Sequence, residues 1–251
     1  MDFSLVIPVR NEGENVARLI GEIQNALEPE FDFEVIFVDD GSSDDTAQQL
    51  LARAAAWPRL RVVRHRHNYG QSAAVLSGVR AARAPLIVTL DGDGQNDPAD
   101  IPALIAIARA DHALGEDGHA LLLINGHRTN RRDRLSKQLG SRIANWVRRR
   151  ALGDATPDSA CGLKLFPRAL YLTLPYFDHM HRFMPALAKR HGARLRSVAV
   201  HHRPRTAGRS NYGNWQRLWV GLIDLVGVIW LMRRARFPID AAEEPAGRHK
   251  E

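Results

Sequence analysis

A single cysteine, Cys161, is all the sulfur chemistry the chain offers apart from methionine. That excludes an intrachain disulfide framework and fits a reducing compartment. Zinc ligands are lacking too: His65 with His67, His179 with His181 and His201 with His202 have no remote partner pair at Cys/His spacing. These histidines read as surface or hydrogen-bonded side chains, and Cys161 as a small buried one. Long apolar runs are missing. The longest candidate, residues 218–232, has Asp224 as its one charge and as a helix spans about 22 Å, short of the roughly 30 Å hydrocarbon core. The start carries Asp2 where a signal peptide carries positive charge, and residues 10–14 interrupt any apolar stretch, so no targeting segment is expected. There is no internal repeat and no low-complexity tract beyond the alanines of residues 52–56.

What is present is ordinary in bulk and unusual in charge. A chain of 251 residues buries roughly 70% of its unfolded surface and needs no staple. Hydrophobic residues are 45% and charged residues 25%, normal for a globular protein. Lys and Arg number 35 against 28 Asp and Glu, a net charge of +7. That excess calls for an anionic partner: nucleic acid, a phosphorylated small molecule or an acidic membrane surface.

The first half alternates two hydrophobic periods. Short apolar runs at residues 4–9, 34–38, 60–64, 86–90 and 121–124 predict buried strands. Between them, helical stripes are predicted at 15–27, 44–56, 71–83 and 101–109, with Ser42, Ser43 or Asp44 as N-cap of the second. This rhythm predicts an α/β fold: a mostly parallel sheet with helices on both faces and ligands beyond the carboxyl ends of the strands. The second half is less regular. Further strands are predicted at 162–166 and 195–200, a helix at 135–147 inside the basic stretch 128–150, and partial helix at 176–190. Residues 218–232 read either as a buried core helix or as an interfacial one, with Trp215, Trp219 and Trp230 at headgroup depth and arginines on lipid phosphates. Residues 240–251 read as a frayed tail.

Three polar clusters sit at strand ends. Asp91-Gly92-Asp93-Gly94-Gln95 offers two carboxylates and a side-chain carbonyl, hard oxygen ligands of the kind Mg²⁺ or Mn²⁺ shares with phosphates, while the glycines let the backbone turn closely. Alternatively it is an acidic turn capping the helix that starts near Pro98. Asp39-Asp40-Gly41-Ser42 with Asp44 and Thr46 is shaped to hydrogen-bond a base or ribose, or is a turn and cap. Ile7-Pro8-Val9-Arg10-Asn11-Glu12 ends the first strand. In a parallel sheet the three clusters meet on one edge.

Those clusters, with Asn68-Tyr69-Gly70, Ala74 and Gly78, stand in an order and spacing that resemble family 2 glycosyltransferases of the GT-A (Rossmann-like) fold, over residues 4–212. The polyprenyl-phosphate branch is the most similar: dolichol-phosphate mannosyltransferases and bacterial undecaprenyl-phosphate sugar transferases. The resemblance implies roles. Pro8, Arg10, Glu12, Asp39 and Asp40 line the nucleotide, with Asp91 beside them. Asp91, Asp93 and Gln95 hold Mg²⁺ or Mn²⁺ on the donor diphosphate. Gly126-His127-Arg128 matches a Gly-x-Arg that follows the next strand and whose Arg contacts the acceptor phosphate, helped by Arg132 and Ser136, or by Arg134 if the register slips. Asp158, Gly162 and Lys164 match an Asp followed by Gly-Phe-Lys, with Leu163 in place of Phe. Residues 204–212 resemble a loop that folds over the diphosphate. Asn211 replaces the family's Lys there, leaving Arg205 and Arg209, with Ser210, as the contacts.

The chemistry is coherent. A leaving diphosphate needs charge stabilisation, and a lipid monophosphate acceptor is already anionic and needs aiming more than deprotonation. Asp93, Arg128 and Asp158 are the catalytic candidates. Were the acceptor a sugar hydroxyl, Asp158 would serve as base. The expected activity is inverting, metal-dependent transfer from a nucleotide-sugar to a polyprenyl phosphate, peripheral to the cytoplasmic face of the plasma membrane. The partners are an anionic membrane surface and, as an alternative dock, a separate membrane protein. Rivals are a transferase to a glycolipid or soluble sugar, and a noncatalytic nucleotide-sugar-binding or recruitment module. A nucleotidyltransferase lacks its Gly-rich loop here, and a processive synthase its Gln-x-x-Arg-Trp motif and membrane helices. Nucleic acid is not expected: residues 128–150 interleave only Trp146. The division reads as a catalytic domain at 1–214, a membrane-facing helical segment at 215–237 and a polar tail at 238–251.

Overall fold

A computed structural model describes residues 1–111, 121–128, 150–154, 156–204 and 214–234, the last with side chains from 220 onward. In chain order these form β1 (Phe3–Val9), α1 (Gly13–Leu27), β2 (Phe33–Asp39), α2 (Thr46–Ala56), β3 (Leu60–Arg64), α3 (Gln71–Ala81), β4 (Leu86–Thr89), α4 (Ile101–Ala110), β5 (Leu122–Arg128), β6 (Lys164–Pro167), α5 (Arg168–Thr173), α6 (Met184–Arg190), β7 (Arg194–Val200) and α7 (Asn214–Arg234). Short 3₁₀ turns at Pro98–Asp100 and Met180–Arg182 precede α4 and α6.

The strands make one sheet in the order β3-β2-β1-β4-β6-β5-β7. All neighbours run parallel except β6, which is antiparallel to both β4 and β5. Alternation along β1 builds both faces of the core. Phe3, Leu5, Ile7 and Val9 point to one side, where α1 contributes Val16, Leu19, Ile20 and Ile23, and α4 contributes Ile101, Leu104 and Ile105. Val6 points to the other side and joins Ile36 and Val38 of β2, Ala74, Val75 and Val79 of α3, and Val228 of α7. A strand buried on both faces needs an unbroken apolar run, which is what residues 4–9 supply.

The register sets the site. Val9 of β1 pairs with Asp39 of β2, and Val6 with Thr89 of β4. Three central parallel strands therefore end on one edge, delivering segments 10–12, 40–43 and 91–95 there, as the strand pattern predicts.

Four expectations need correction. The strand expected at 162–166 is β6, shifted to Lys164–Pro167 and running against its neighbours. The strand at 121–124 continues to Arg128, because β7 pairs with it along its whole length, so Arg128 ends the strand instead of following it. The helix expected at 71–83 stops at Ala81. None of Ser42, Ser43 and Asp44 is the N-cap of α2: Asp45 is, without a side-chain cap bond, while Asp44 accepts from the Thr46 backbone N at 3.0 Å and its Oγ1 at 2.5 Å. The expected helix at 135–147 lies outside the described residues.

Candidate active site

The exits of β1 and β2 are stitched together. Asn11 takes a left-handed φ of 54°. Its backbone N donates to Ser42 Oγ at 2.9 Å, and its Oδ1 accepts from the Ser43 backbone N at 2.8 Å. Glu12 N donates to Thr46 Oγ1 at 3.0 Å, and the Glu12 carboxylate accepts from Asn15 Nδ2 at 2.6 Å. The two loops therefore form one rigid lip.

Two adjacent acids of this lip do different work. Asp39 is wholly buried. Its Oδ1 accepts from Ser42 N at 3.0 Å, and Arg64 Nε lies 3.3 Å from its Oδ2 without hydrogen-bond geometry. Asp40 is a hub. Oδ1 accepts from Tyr69 N and lies 2.8 Å from His65 Nδ1, and Oδ2 accepts from Gly70 N at 2.8 Å. His65 in turn reaches Ser77 Oγ at 2.8 Å. Asp40 thus binds backbone and imidazole, and fixes the loop at 68–70 from which α3 starts.

The third strand end carries Asp91 and Asp93. Asp91 Oδ1 accepts from Gln71 Nε2, the first residue of α3, at 2.8 Å. Its carboxylate lies where a side chain at Gly162 would stand, so only glycine fits at 162. Burial raises the Asp91 pKa to about 6, the nearby Asp93 carboxylate adds to the rise, and Lys164, Arg128 and the Gln71 amide oppose it. Gly94 adopts φ 71°, the left-handed turn that brings Asp93 back toward the cleft. Asp93 Oδ1 accepts from Gln95 N at 3.1 Å. Gln95 faces another way: its Nε2 donates to Arg203 O at 3.4 Å, and Arg203 N donates to Gln95 O at 2.9 Å. Asp97, not the acids of the motif, caps the turn at Pro98, accepting from Ala99 N.

A cleft of about 250 Å³ opens at this edge. Pro8, Arg10, Glu12, Asp40, Asp91 and Asp93 all line it, together with Gln71 and Gly70. Asp39 and Gln95 are not among its lining residues. Among the described residues no three His, Cys, Asp or Glu side chains form a metal cage. The donor set suited to a cation is the Asp91 and Asp93 pair, two hard oxygen donors whose mutual repulsion a divalent ion would relieve.

Beyond the cleft, β5 and the segment before β6 bring Arg128 to Asp158. Arg128 Nε donates to Asp158 Oδ2 at 2.6 Å and Nη2 to Oδ1 at 2.8 Å, a two-point grip on a buried carboxylate. Burial works against the charge on Arg128, but Asp158 outweighs it and holds the pKa above its ordinary value. Among the described residues Nη1 has no acceptor, so one edge of the guanidinium stays available. Lys164 is buried nearby, its Nζ donating to Cys161 O. Burial lowers its pKa, while Cys161, Asp91 and Asp158 pull it back up. Arg132, Ser136, Arg134, Arg205, Arg209, Ser210 and Asn211 lie outside the described residues.

Sequence reasoning missed several members of this edge. Gln71 orients Asp91, His65 braces Asp40, and Arg203 ties the 95–97 turn to α1 through Glu22 at 2.9 Å and through Asp97. His181 lies under the cleft with Cys161, Lys164 and Met184. Burial holds its pKa well below the usual imidazole range, with Arg182, Lys164 and His179 adding to it, and its Nδ1 sits 2.8 Å from Ser72 Oγ. Gln71 alone had a signal: it directly follows Asn68-Tyr69-Gly70.

Comparison with known proteins adds three findings. The profile of glycosyl transferase family 2 matches residues 4–174. Dodecaprenyl-phosphate galacturonate synthase of Rhizobium johnstonii is 34% identical over 240 residues, which cover 93% of this chain and 68% of that one. Undecaprenyl-phosphate 4-deoxy-4-formamido-L-arabinose transferase of Yersinia enterocolitica is 34% identical over 215 residues, 83% of this chain and 62% of that one. The chain thus spans about two thirds of the length of these curated relatives. In fold it is similar to glucosyl-3-phosphoglycerate synthase of Mycobacterium tuberculosis, crystallised with Mn²⁺, UDP and phosphoglyceric acid. That match has a TM-score of 0.64 at 19% identity and covers 92% of this chain and 78% of that one.

Proposed function

The chain belongs to glycosyl transferase family 2, and from that premise we propose that it moves one sugar from a nucleotide-sugar to a polyprenyl phosphate, with inversion, at the cytoplasmic face of the membrane. The observation that carries this reading is the Arg128–Asp158 grip beside Asp91. A carboxylate held at two points by a guanidinium is a poor general base. That disfavours a hydroxyl acceptor, which needs one, and suits an acceptor that arrives as an anion. Asp158 then fixes Arg128 so that its free edge meets the acceptor phosphate, and the grip makes that orientation independent of the long arginine side chain's rotamers.

Donor binding falls to the lip. Pro8, Arg10 and Glu12 bound the nucleotide side, Asp39 presents a buried carboxylate oxygen without a hydrogen bond, and Asp40 shapes the loop that carries Gln71. Asp91 and Asp93 would hold Mg²⁺ or Mn²⁺, which when bound supplies charge to the leaving diphosphate. The named relatives support a polyprenyl phosphate acceptor, and the Mn²⁺-bound fold neighbour supports a divalent ion. Arg132 with Ser136 completes the acceptor side, and Arg205, Arg209 and Ser210 the diphosphate side. Residues 1–214 would carry the catalysis, and residues 215–237 would face the membrane or a membrane protein.

A panel of nucleotide-sugars with polyprenyl phosphate and Mn²⁺ or Mg²⁺, read by mass spectrometry of the lipid, tests the reading. One added glycosyl unit is expected, and it is lost in Asp93→Ala and Arg128→Ala. Wild-type turnover in either variant, transfer only to sugar hydroxyls, or binding without turnover would overturn it.

A further inference from the structure

A second, smaller cavity lies beneath the cleft and shares Pro8, Gln71 and Asp91 with it. Its volume is about 20 Å³. That is room for one water-sized group and no more, since a single water needs roughly 15 Å³. Val75, Leu90 and Met184 give it apolar walls. Its polar side chains are mostly engaged. Thr89 Oγ1 donates to Gly162 O at 2.7 Å, the Gln71 amide donates to Asp91, and Lys164 Nζ donates to Cys161 O. His181 differs. Its Nδ1 faces Ser72, while its Nε2 has no partner among the described residues and the side chain keeps some exposure.

The hydrogen bonds fix which ring nitrogen of His181 carries the proton. Ser72 Oγ already accepts from the His181 backbone N at 3.3 Å. Among the described residues the Ser72 hydroxyl proton then has one acceptor, Nδ1 at 2.8 Å. With Nδ1 accepting, the ring proton sits on Nε2. Burial, with Arg182, Lys164 and His179, keeps the ring neutral, so it acts as a fixed donor. The segment that carries it is held firmly. His179 takes a left-handed φ of 62°, which a residue other than glycine holds only where its surroundings fix it. Its N donates to Asp178 Oδ1 at 2.8 Å, and its Nδ1 lies 3.1 Å from Asp224 Oδ2 of α7. Met180 and Phe183 are buried on either side of His181.

We propose that His181 reads the donor sugar: one hydroxyl of the transferred glycosyl group lodges in this cavity and its oxygen accepts a hydrogen bond from Nε2–H. The inference deepens the functional reading and rests on it for the presence of a nucleotide-sugar in the cleft. Asp91 is the wall common to cleft and cavity. The functional reading sets the donor diphosphate at Asp91 and Asp93, and the glycosyl group is bonded to that diphosphate, so its substituents are what lies beside Asp91. Size selects among the candidates. A base, a phosphate, a carboxylate or an acetamido group overfills about 20 Å³, whereas a hydroxyl fits. Chemistry agrees, because a donor held without an acceptor rejects a substituent that cannot accept. The consequence is a demand for one free hydroxyl on the donor sugar, set by His181 and separate from recognition of base and diphosphate.

Calorimetric titration of the whole chain with Mn²⁺ tests this, using UDP and GDP alone and linked to glucose, galactose, mannose or galacturonate. In His181→Asn the amide keeps the contact with Ser72 and cannot reach the Nε2 position. The best-bound nucleotide-sugar is expected to weaken about tenfold there, with the affinity for the bare diphosphate and the thermal midpoint unchanged. Among single-deoxy analogues of that donor, one is expected to bind wild type about tenfold more weakly than the parent and to bind His181→Asn as well as the parent does. Methylation of the same hydroxyl is expected to abolish binding to wild type. An unchanged nucleotide-sugar affinity in His181→Asn overturns the proposal. So does an equal weakening of the bare diphosphate, which reduces His181 to a brace of the loop. If the variant does not fold, wild-type binding that is indifferent to deoxygenation and methylation at every position overturns it. Transfer to polyprenyl phosphate separates the two readings. Such transfer undiminished in His181→Asn overturns this inference alone, and His181-dependent sugar binding without any such transfer supports it and overturns the functional reading.

Discussion

Set against Gly162 and the Gln71 amide, the Asp91 carboxyl has its pKa raised by burial and by Asp93 from the ordinary 3.8 to about 6. Between those values the native state holds a proton that the unfolded chain has lost. Its contribution to stability is therefore complete at low pH and disappears as pH rises through about 6. A divalent ion takes the ionised form, so stabilisation by Mn²⁺ in thermal melts is expected to be strong at pH 7.5 and weak at pH 5, and to vanish in Asp91→Asn. Equal Mn²⁺ shifts at both pH values would contradict this reading of the acid pair. Glu34, at the opposite end of the sheet, behaves in the other sense. Burial pushes its pKa up, but hydrogen bonds from Ser4 Oγ at 2.7 Å, Arg83 N at 2.7 Å and Arg61 at 2.6 Å outweigh it and hold the pKa low. Its stabilisation is present above the ordinary carboxylate range and lost as pH falls below it. Glu34→Ala is expected to cost about 2 kcal/mol in urea unfolding while leaving turnover per folded molecule intact. The identity of such residues was legible in the sequence, but their occupation was not. An acid at a strand end looks equally ready for a ligand or for backbone amides, and only the fold shows that Asp40 takes Tyr69, Gly70 and His65.

Among the elements, the loop into α3 links the lip to the acid pair. Asp40 fixes residues 69–70, and the next residue, Gln71, holds Asp91. Asp40→Ala is expected to raise donor KM about tenfold and lower the melting temperature by several degrees, since it strips two backbone amides of a buried acceptor. Gln71→Ala is expected to raise donor KM without the thermal loss. A melting temperature as low in Gln71→Ala as in Asp40→Ala would contradict this division of labour. Element by element, the first half was readable because each strand is an apolar run and each helix a clean stripe. The later strands were harder for two reasons. Four residues of β6 say nothing about strand direction, and the end of β5 is the polar Asn125-Gly126-His127-Arg128, held extended by β7 and not by its own hydrophobicity. For α7 the two open readings each describe one face: Val228 is core, Ile223 and Trp230 are surface.

At the scale of the whole molecule, sheet order does most of the work. Placing β2, β1 and β4 side by side brings three motifs, spread over residues 7–95, to one edge. The antiparallel return through β6 then carries Lys164, with Asp158 and Gly162 just before it, alongside Arg128 and Asp91. That layout sets the acid-lined cleft beside Arg128, whose Nη1 has no acceptor among the described residues, and under the proposed function the net charge of +7 would serve both the donor diphosphate and the lipid phosphate. The central claim is that the acceptor atom is a phosphate oxygen. Phosphorus-31 NMR of the lipid during turnover tests it most directly. The expected result is loss of the polyprenyl phosphomonoester signal and growth of a phosphodiester signal in step with nucleoside diphosphate release, with the new anomeric bond inverted relative to the donor. A monoester signal that stays constant while the donor is consumed, or a product of retained configuration, would contradict it.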